Sequence, residues 1–193
     1  MHISEGVLSA PVLLTGGALT AAGTAIGLKK IDYDRVAQVG LLSATFFVAS
    51  LIHVPIGPSS VHLLMNGIVG LLLGWAAFPA ILVGLLLQAV FFQFGGITVL
   101  GVNTLNVAGP AVICSFVFSP LIARDNKVAI PAAFCCGFFA VVLTSVMVAL
   151  SLWLTEESFT EAAYMVLAAH VPVMIIEGFV TAFCVLFLKR VQP

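Results

Sequence analysis

The sequence predicts an all-α integral membrane protein with seven transmembrane helices, an outside N-terminus and a cytoplasmic C-terminus. Of its 193 residues, 62% are hydrophobic and only 8% are charged, whereas a soluble domain carries about a quarter charged residues. Apolar runs near the length of about 20 residues that crosses a bilayer recur along the chain. Because no polar block is long enough for a soluble domain, residues 1–193 are expected to form a single transmembrane domain.

Charged and turn-forming residues divide the chain into seven apolar runs. These runs predict spans at about 6–28, 36–52, 61–74, 79–94, 105–123, 128–154 and 162–188. Pro55 and Pro58 exclude a continuous helix over residues 53–60. The glycine-rich stretch 95–104 predicts a re-entrant or cavity-lining loop, because irregular backbone at membrane depth needs partners from protein or water.

The basic residues decide the orientation. All seven Lys and Arg residues lie at 29–35, 124–127 or 189–190, which seven spans would place on one side of the membrane. The loops on the opposite side contain no basic residue, and one of them holds the glutamates of 156–161. Because cytoplasmic loops are enriched in Lys and Arg, the N-terminus is predicted outside and the C-terminus inside.

Several function classes are disfavoured by what the sequence lacks. The seven basic residues form no patch or stripe, which argues against nucleic-acid binding and leaves membrane lipid as the surroundings. No Walker-type phosphate-binding motif occurs, so the chain is not predicted to hydrolyse ATP. Neither a zincin motif nor a nucleophile-elbow motif occurs, so the chain is not expected to be an enzyme.

The first span has few bulky side chains along its inner half. Gly17, Ala21 and Ala25 form a row of small residues that lets another helix backbone approach closely. Two interpretations remain open, namely packing within this bundle and docking of a second membrane subunit.

The extreme N-terminus carries an unusual set of nitrogen donors. Met1 contributes a free amine, and His2 contributes a peptide amide and an imidazole within reach of the same small ion. Square-planar or tetragonal nitrogen sites suit Ni(II), Cu(II) and some Co(II) centres. A histidine at position 2 is more often part of a frayed terminus, so the pattern needs support from the rest of the chain.

The predicted topology brings all four histidines to the outer third of the bundle. His2 lies at the outer terminus, His53 and His62 flank the outer loop between the second and third spans, and His170 lies near the outer end of the seventh. Glu177 is the only acid in the middle of a span, and such groups usually face the bundle interior or a cavity. Its spacing of seven from His170 places both on one helical face, about 10 Å apart.

Amide side chains add to these polar groups. Asn66, Gln93 and Asn103 are further candidates to line a cavity or to support a ligand, together with His53, His170 and Glu177. The simpler alternative for the buried ones is hydrogen bonding between helices.

Four separated segments resemble one family over essentially the whole chain. MHISEGVLS, GPSSVHLLMNGIVGLLLG, GGITVLGVNTLNVAGPA and HVPVMIIEGFVTAF are similar to the CbiM/NikM family. These proteins are the substrate-capture (S) components of energy-coupling factor (ECF) transporters for cobalt and nickel.

The resemblance implies an S-component bundle with an extra N-terminal helix whose tip inserts into the core. It implies that Met1 (amine), His2 (amide and ring nitrogens) and His62 bind Co²⁺ or Ni²⁺ as the transported substrate. Cobalt would serve cobalamin biosynthesis and nickel would serve nickel enzymes. The implied location is the bacterial or archaeal cytoplasmic (inner) membrane. The implied partners are a T-type transmembrane scaffold, a pair of ATP-binding cassette ATPases and a small accessory membrane protein.

The donor chemistry is compatible with this resemblance. Deprotonating a peptide amide favours later metals of the affinity series over Mg²⁺, Ca²⁺ and Mn²⁺, and capture should weaken as pH falls because ligand protons must leave. The alternative is a stand-alone metal channel or proton-coupled permease that uses His170 and Glu177 as a proton relay. An intramembrane enzyme built on the same pair is a third possibility, for which no nucleophile is visible.

Overall fold

The fold is helical, and the computed structural model describes residues 2–56 and 59–191 of the chain. Within this part the α-helices are α1 Ala10–Lys29, α2 Val36–Ala49, α3 Asn66–Leu73, α4 Ala77–Phe92, α5 Leu100–Ile122, α6 Asn126–Trp153 and α7 Thr160–Val191. A short hairpin of β1 (His53–Ile56) and β2 (Ser59–His62) lies between α2 and α3. The helical membrane class predicted from composition is therefore confirmed.

Five segments of the described chain are long and apolar enough to cross a membrane. They are Ala10–Lys29, Asn66–Phe92, Leu100–Ile122, Asn126–Trp153 and Thr160–Val191. Helix α2 has 14 residues, fewer than the roughly 20 that span a bilayer. The predicted third and fourth spans are joined, because a single 3-10 turn at Gly74–Ala76 connects α3 to α4. A passage through the membrane at each of the seven helices remains a prediction.

Two predicted boundaries are wrong. The third span was expected from residue 61, but Val61 and His62 belong to β2, where His62 is paired with His53 in the antiparallel register. The glycine-rich stretch was expected to be a loop through residue 104, but α5 already begins at Leu100. Helix continues through Gly101 because that residue packs against α1, where a Cβ would lie 2.7 Å from the Cα of Gly17.

Helix α1 packs against α4 and α5 through its small residues. The buried row is Gly16, Thr20, Gly23 and Gly27, and the Thr20 hydroxyl donates to the Gly101 carbonyl at 2.5 Å. The buried face of α1 therefore lies elsewhere on the helix than the predicted row of Gly17, Ala21 and Ala25. Of that row, only Gly17 makes a close backbone approach, to Gly101 of α5. Ala21 and Ala25 are exposed.

The outward faces of the long helices are apolar. Leu14, Phe179 and Phe183 are among the large hydrophobic side chains left exposed by the fold. Exposed apolar surface on this scale is unfavourable in water and suits a lipid environment. Together with the five apolar segments, this surface identifies a multi-pass membrane protein.

Candidate metal centre

The N-terminal segment lies inside the bundle and is held there by α5. The Asn103 side chain pairs with the Ile3 peptide group in both directions, because its Oδ1 accepts from Ile3 N–H at 3.1 Å and its Nδ2 donates to Ile3 C=O at 3.1 Å. The Ile3 side chain is only 5% exposed. A primary amide here satisfies a buried peptide group as a neighbouring β-strand would.

The loop between α4 and α5 encloses the same segment. Gly95 adopts φ +77°, and a Cβ at this position would lie 2.8 Å from Asn103 Nδ2 and 3.4 Å from the His2 Cβ. Thr98 N–H donates to Glu5 Oε1 at 3.1 Å. Position 95 therefore requires glycine for two reasons. Its backbone has a positive φ, and a side chain would collide with Asn103 beside the N-terminal segment.

The insertion brings the His2 ring to the His62 ring. The two imidazole centroids are 4.8 Å apart and the rings are inclined by 18°. The Phe94 ring is also stacked with His2, at a centroid distance of 5.9 Å. Two of the predicted ligands, which are 60 residues apart in the sequence, are thus neighbours. Met1, the third, lies outside the described residues, so the position of its amine remains a prediction.

The environment of His62 favours a neutral imidazole. The ring is 3% exposed, and burial lowers the pKa of His62 while the hydrogen bond to Leu63 opposes this effect. Nδ1 lies 3.0 Å from the Leu63 carbonyl. Because a carbonyl can only accept, Nδ1 carries the proton and Nε2 carries the lone pair. A hydrogen bond from one ring nitrogen commonly orients an imidazole that binds metal through the other.

Glu177 fixes the turn that follows His62. Its Oε1 accepts hydrogen bonds from Leu64 N–H and from Met65 N–H, the latter at 2.8 Å. The sequence predicted a buried acid at this position but gave no partner for it. The partner is the main chain of residues 64–65, a contact across more than 110 positions.

His170 is buried but hydrogen-bonds within its own helix. Its side chain is 5% exposed, and its Nδ1 donates to the Val166 carbonyl at 2.6 Å. Within the described ranges, no group of three or more His, Cys, Asp or Glu side chains is arranged to hold a metal ion. Of the described side chains, His2 and His62 are therefore the two candidate nitrogen ligands that the fold stacks on one another.

The other candidate residues have different environments. Asn66 is buried and donates to the Val107 carbonyl at 3.2 Å and to the Thr144 hydroxyl at 2.9 Å, which is helix-to-helix bonding. The inward placement expected for Gln93 is wrong, because it ends α4 in a left-handed conformation with an exposed side chain. The backbone of His53 pairs with His62, but its side chain lies outside what the structure describes.

A comparison with protein families assigns the chain. The family described as "Cobalt uptake substrate-specific transmembrane region", CbiM, matches residues 2–193. The chain belongs to this family.

Relatives of this CbiM-family chain are named for metal transport. A protein of Haemophilus influenzae named for metal transport is 40% identical over 198 residues, which cover 100% of this chain and 95% of the relative. "Cobalt transport protein CbiM" of Sorangium cellulosum is 28% identical and covers 100% of this chain and 93% of its own length. "Fused nickel transport protein NikMN" of Rhodobacter capsulatus is 42% identical over 120 residues, which cover 58% of this chain and 35% of the length of that relative.

Solved structures share the fold. A crystal structure described as a transition metal transporter superposes with a TM-score of 0.83 at 25% identity, covering 99% of this chain and 93% of that one. A truncated form superposes with a TM-score of 0.81 at 24% identity over 100% of both chains. The helical arrangement described above is thus that of a transition metal transporter.

Proposed function

We propose that this chain is the substrate-capture (S) subunit of an ECF transporter and binds Co²⁺ or Ni²⁺ on the outer side of the membrane. Membership of the cobalt-uptake family supports metal transport, and relatives named for cobalt and for nickel support this pair of ions. The single observation that carries the proposal is the inserted N-terminus, which brings His2 beside His62.

The ring geometry supports a shared metal ion. For metal–nitrogen bonds of about 2.0 Å, each imidazole centroid lies about 3.2 Å from the ion, so rings in neighbouring positions of a square are about 4.5 Å apart and rings in opposite positions about 6.4 Å apart. The observed separation is 4.8 Å. The centroid separation is thus close to that of neighbouring ligands in a square, for rings that are stacked nearly parallel at 18° in this structure.

The remaining two positions of the square suit the main chain. A ligand set of the Met1 amine, the His2 amide nitrogen and the His2 ring closes two chelate rings and places the amide between the other two donors. The fourth position is then opposite the amide and next to the His2 ring, which is where His62 would bind. This all-nitrogen set favours Ni²⁺, Co²⁺ or Cu²⁺ over the oxygen-seeking Mg²⁺ and Ca²⁺.

Topology and partners form a second part of the proposal. With seven membrane passages, the distribution of Lys and Arg places the N-terminus and the metal site outside and the C-terminus in the cytoplasm. Delivery across the membrane would depend on a T-type scaffold, an ATP-binding cassette ATPase pair and a small accessory membrane protein. A relative of Methanocorpusculum labreanum named as a fused cobalt transport protein CbiMQ is in keeping with assembly from several components.

The proposal is tested by metal analysis of the purified, untagged chain. We expect about one Co²⁺ or Ni²⁺ per chain after growth with both metals, because one set of four nitrogen donors is proposed. Mg²⁺ and Mn²⁺ should not compete. In liposomes, the chain alone should accumulate no metal under a pH gradient. A folded protein that retains neither metal, or that drives uptake by itself, would contradict the proposed role.

Asn103 is expected to support the site without touching the metal. Asn103→Leu removes both hydrogen bonds to the Ile3 peptide group and leaves that buried group unpaired. We expect a loss of about 10–100-fold in Ni²⁺ affinity, as is typical for groups that orient a ligand, measured by calorimetry on the untagged protein. Asn106→Leu, which removes a buried bond to Ser151 within the bundle, is the matched control and should bind nickel normally. Equal losses in both variants would refute the role of Asn103.

A further inference from the structure

A buried carboxylate joins α7 to the turn that carries His62. Glu177 lies in the middle of α7 and is 0% exposed. Its Oε1 accepts from two consecutive main-chain N–H groups, those of Leu64 and Met65. This is the contact that ties the chain immediately after His62 to a membrane-spanning helix.

The turn itself needs such a contact. Met65 adopts φ +49°, a left-handed conformation for a residue that has a Cβ. Such conformations are unfavourable by about 1–3 kcal/mol and persist only where the surroundings hold them. Met65 is the N-cap of α3 and lies three positions after His62, the last residue of β2. Glu177 supplies the acceptor that holds this conformation.

The position of Glu177 is itself fixed by close backbone packing. A Cβ at Gly137 of α6 would overlap the main-chain oxygen of Glu177, and a Cβ at Gly67 of α3 would lie 2.8 Å from the Gly137 Cα. The backbones of α3, α6 and α7 therefore converge at the level of this carboxylate. Small residues at such crossings permit close helix packing, and they leave Glu177 no freedom to move independently of the turn.

We infer that Glu177 is the positioning residue for His62, so that its contact with residues 64–65 sets the geometry in which His62 binds the metal. The inference rests on the proposed function and deepens it. It assigns to α7 a direct mechanical connection to the metal site. A purely structural role would instead make Glu177 important for stability and indifferent to the metal.

The test compares three substitutions in the untagged chain. Glu177→Leu removes the acceptor, and Glu177→Gln keeps an oxygen in its place. Gly137→Ala keeps the Glu177 side chain but adds a methyl group that presses on the Glu177 carbonyl and the Thr181 hydroxyl of α7. Ser43→Ala is the matched control, since it deletes a buried hydrogen bond of 2.7 Å from α2 to the Ala80 carbonyl of α4, away from the site. Each protein is titrated with Ni²⁺ by calorimetry, its Ni²⁺ absorption band is recorded, and its metal-free thermal unfolding is followed.

We expect Glu177→Leu to lower Ni²⁺ affinity about 10–100-fold and to shift the absorption band, because a displaced ligand changes the ligand field. Gly137→Ala should do the same to a smaller degree. Glu177→Gln should stay within a few-fold of the parent affinity. Ser43→Ala should lower the unfolding temperature while leaving affinity and band unchanged. This pattern supports the inference. If Glu177→Leu does not fold, the results expected for Glu177→Gln and Gly137→Ala support it by themselves.

Two outcomes overturn it. The first is that Glu177→Leu and Gly137→Ala both bind Ni²⁺ with the parent affinity and an unaltered absorption band. If Glu177→Leu does not fold, the same result in Gly137→Ala alone is enough. Glu177 would then have a purely structural role. A loss in Glu177→Gln as large as that in Glu177→Leu, or of more than about tenfold if Glu177→Leu does not fold, would show that the charge of Glu177 acts, rather than its placement of the turn. Absence of nickel binding in the parent protein would instead refute the proposed function, so the two failures are distinguishable.

Discussion

Blocking the amine of Met1 is expected to abolish high-affinity metal binding and to leave the helical fold intact. Acetylation removes the basic lone pair of the terminal nitrogen, and with it one chelate ring of the proposed site. A short Gly-Ser extension before Met1 would have the same effect and would also add atoms next to a segment in which Ile3 is buried. The measurement is metal stoichiometry by calorimetry or elemental analysis.

The control is the same Gly-Ser extension placed after Pro193, which should bind metal normally. Circular dichroism and size-exclusion profiles of the two extended proteins should agree with the parent. Normal stoichiometry and affinity in the N-terminally extended or acetylated protein would rule out the amine as a ligand, whatever the family relationship.

Replacing His62 with alanine is expected to lower Ni²⁺ affinity by at least about 100-fold, more than is usual for a residue that merely orients a ligand. The ring is buried against His2, and its neutral form is favoured because burial lowers the pKa of His62. Alanine removes the proposed fourth nitrogen, and within the described ranges no group of three or more His, Cys, Asp or Glu side chains forms a separate metal site. Titration of the untagged variant with Ni²⁺ and Co²⁺ gives the result.

His53→Ala is the comparison variant, because residue 53 pairs with residue 62 through the backbone of the hairpin and is not proposed to bind metal. Its affinity should remain within a few-fold of the parent. Equal losses at the two positions would mean that the hairpin as a whole, and not the His62 nitrogen, supports binding.

Composition predicted the helical membrane class, because the bilayer imposes apolar helices along the whole sequence, whereas the orientation inferred from the charges stays a prediction. Element boundaries were less predictable where tertiary contacts decide them. The start of α5 at Leu100 depends on the packing of Gly101 against Gly17, which no local pattern reveals. The proline-containing segment was predicted to be non-helical, but a hairpin that pairs His53 with His62 could not be inferred from its prolines.

For the candidate site, donor chemistry and family resemblance indicated His2 and His62, which the fold brings together. The supporting residues were harder to assign. Asn103 was a candidate, but its bidentate pairing with the Ile3 peptide depends on where the N-terminus inserts. Glu177 was singled out as a buried acid, yet its main-chain partners are distant in sequence. The prediction that Gln93 faces inward was wrong, because a polar residue at a helix end can turn outward as easily as inward.

The two halves of the candidate site are attached to different helices. Asn103 and Gly101 fasten the N-terminal segment and α1 to α5, while Glu177 fastens the His62 turn to α7. Helix α6 lies between these two bodies in the chain. A four-nitrogen square tolerates little distortion, so a small relative displacement of α5 and α7 would separate the donors and weaken the hold on the ion. We expect such a displacement to release the proposed ion only if the hydrogen bond from Asn66 of α3 to the Val107 carbonyl of α5 also yields.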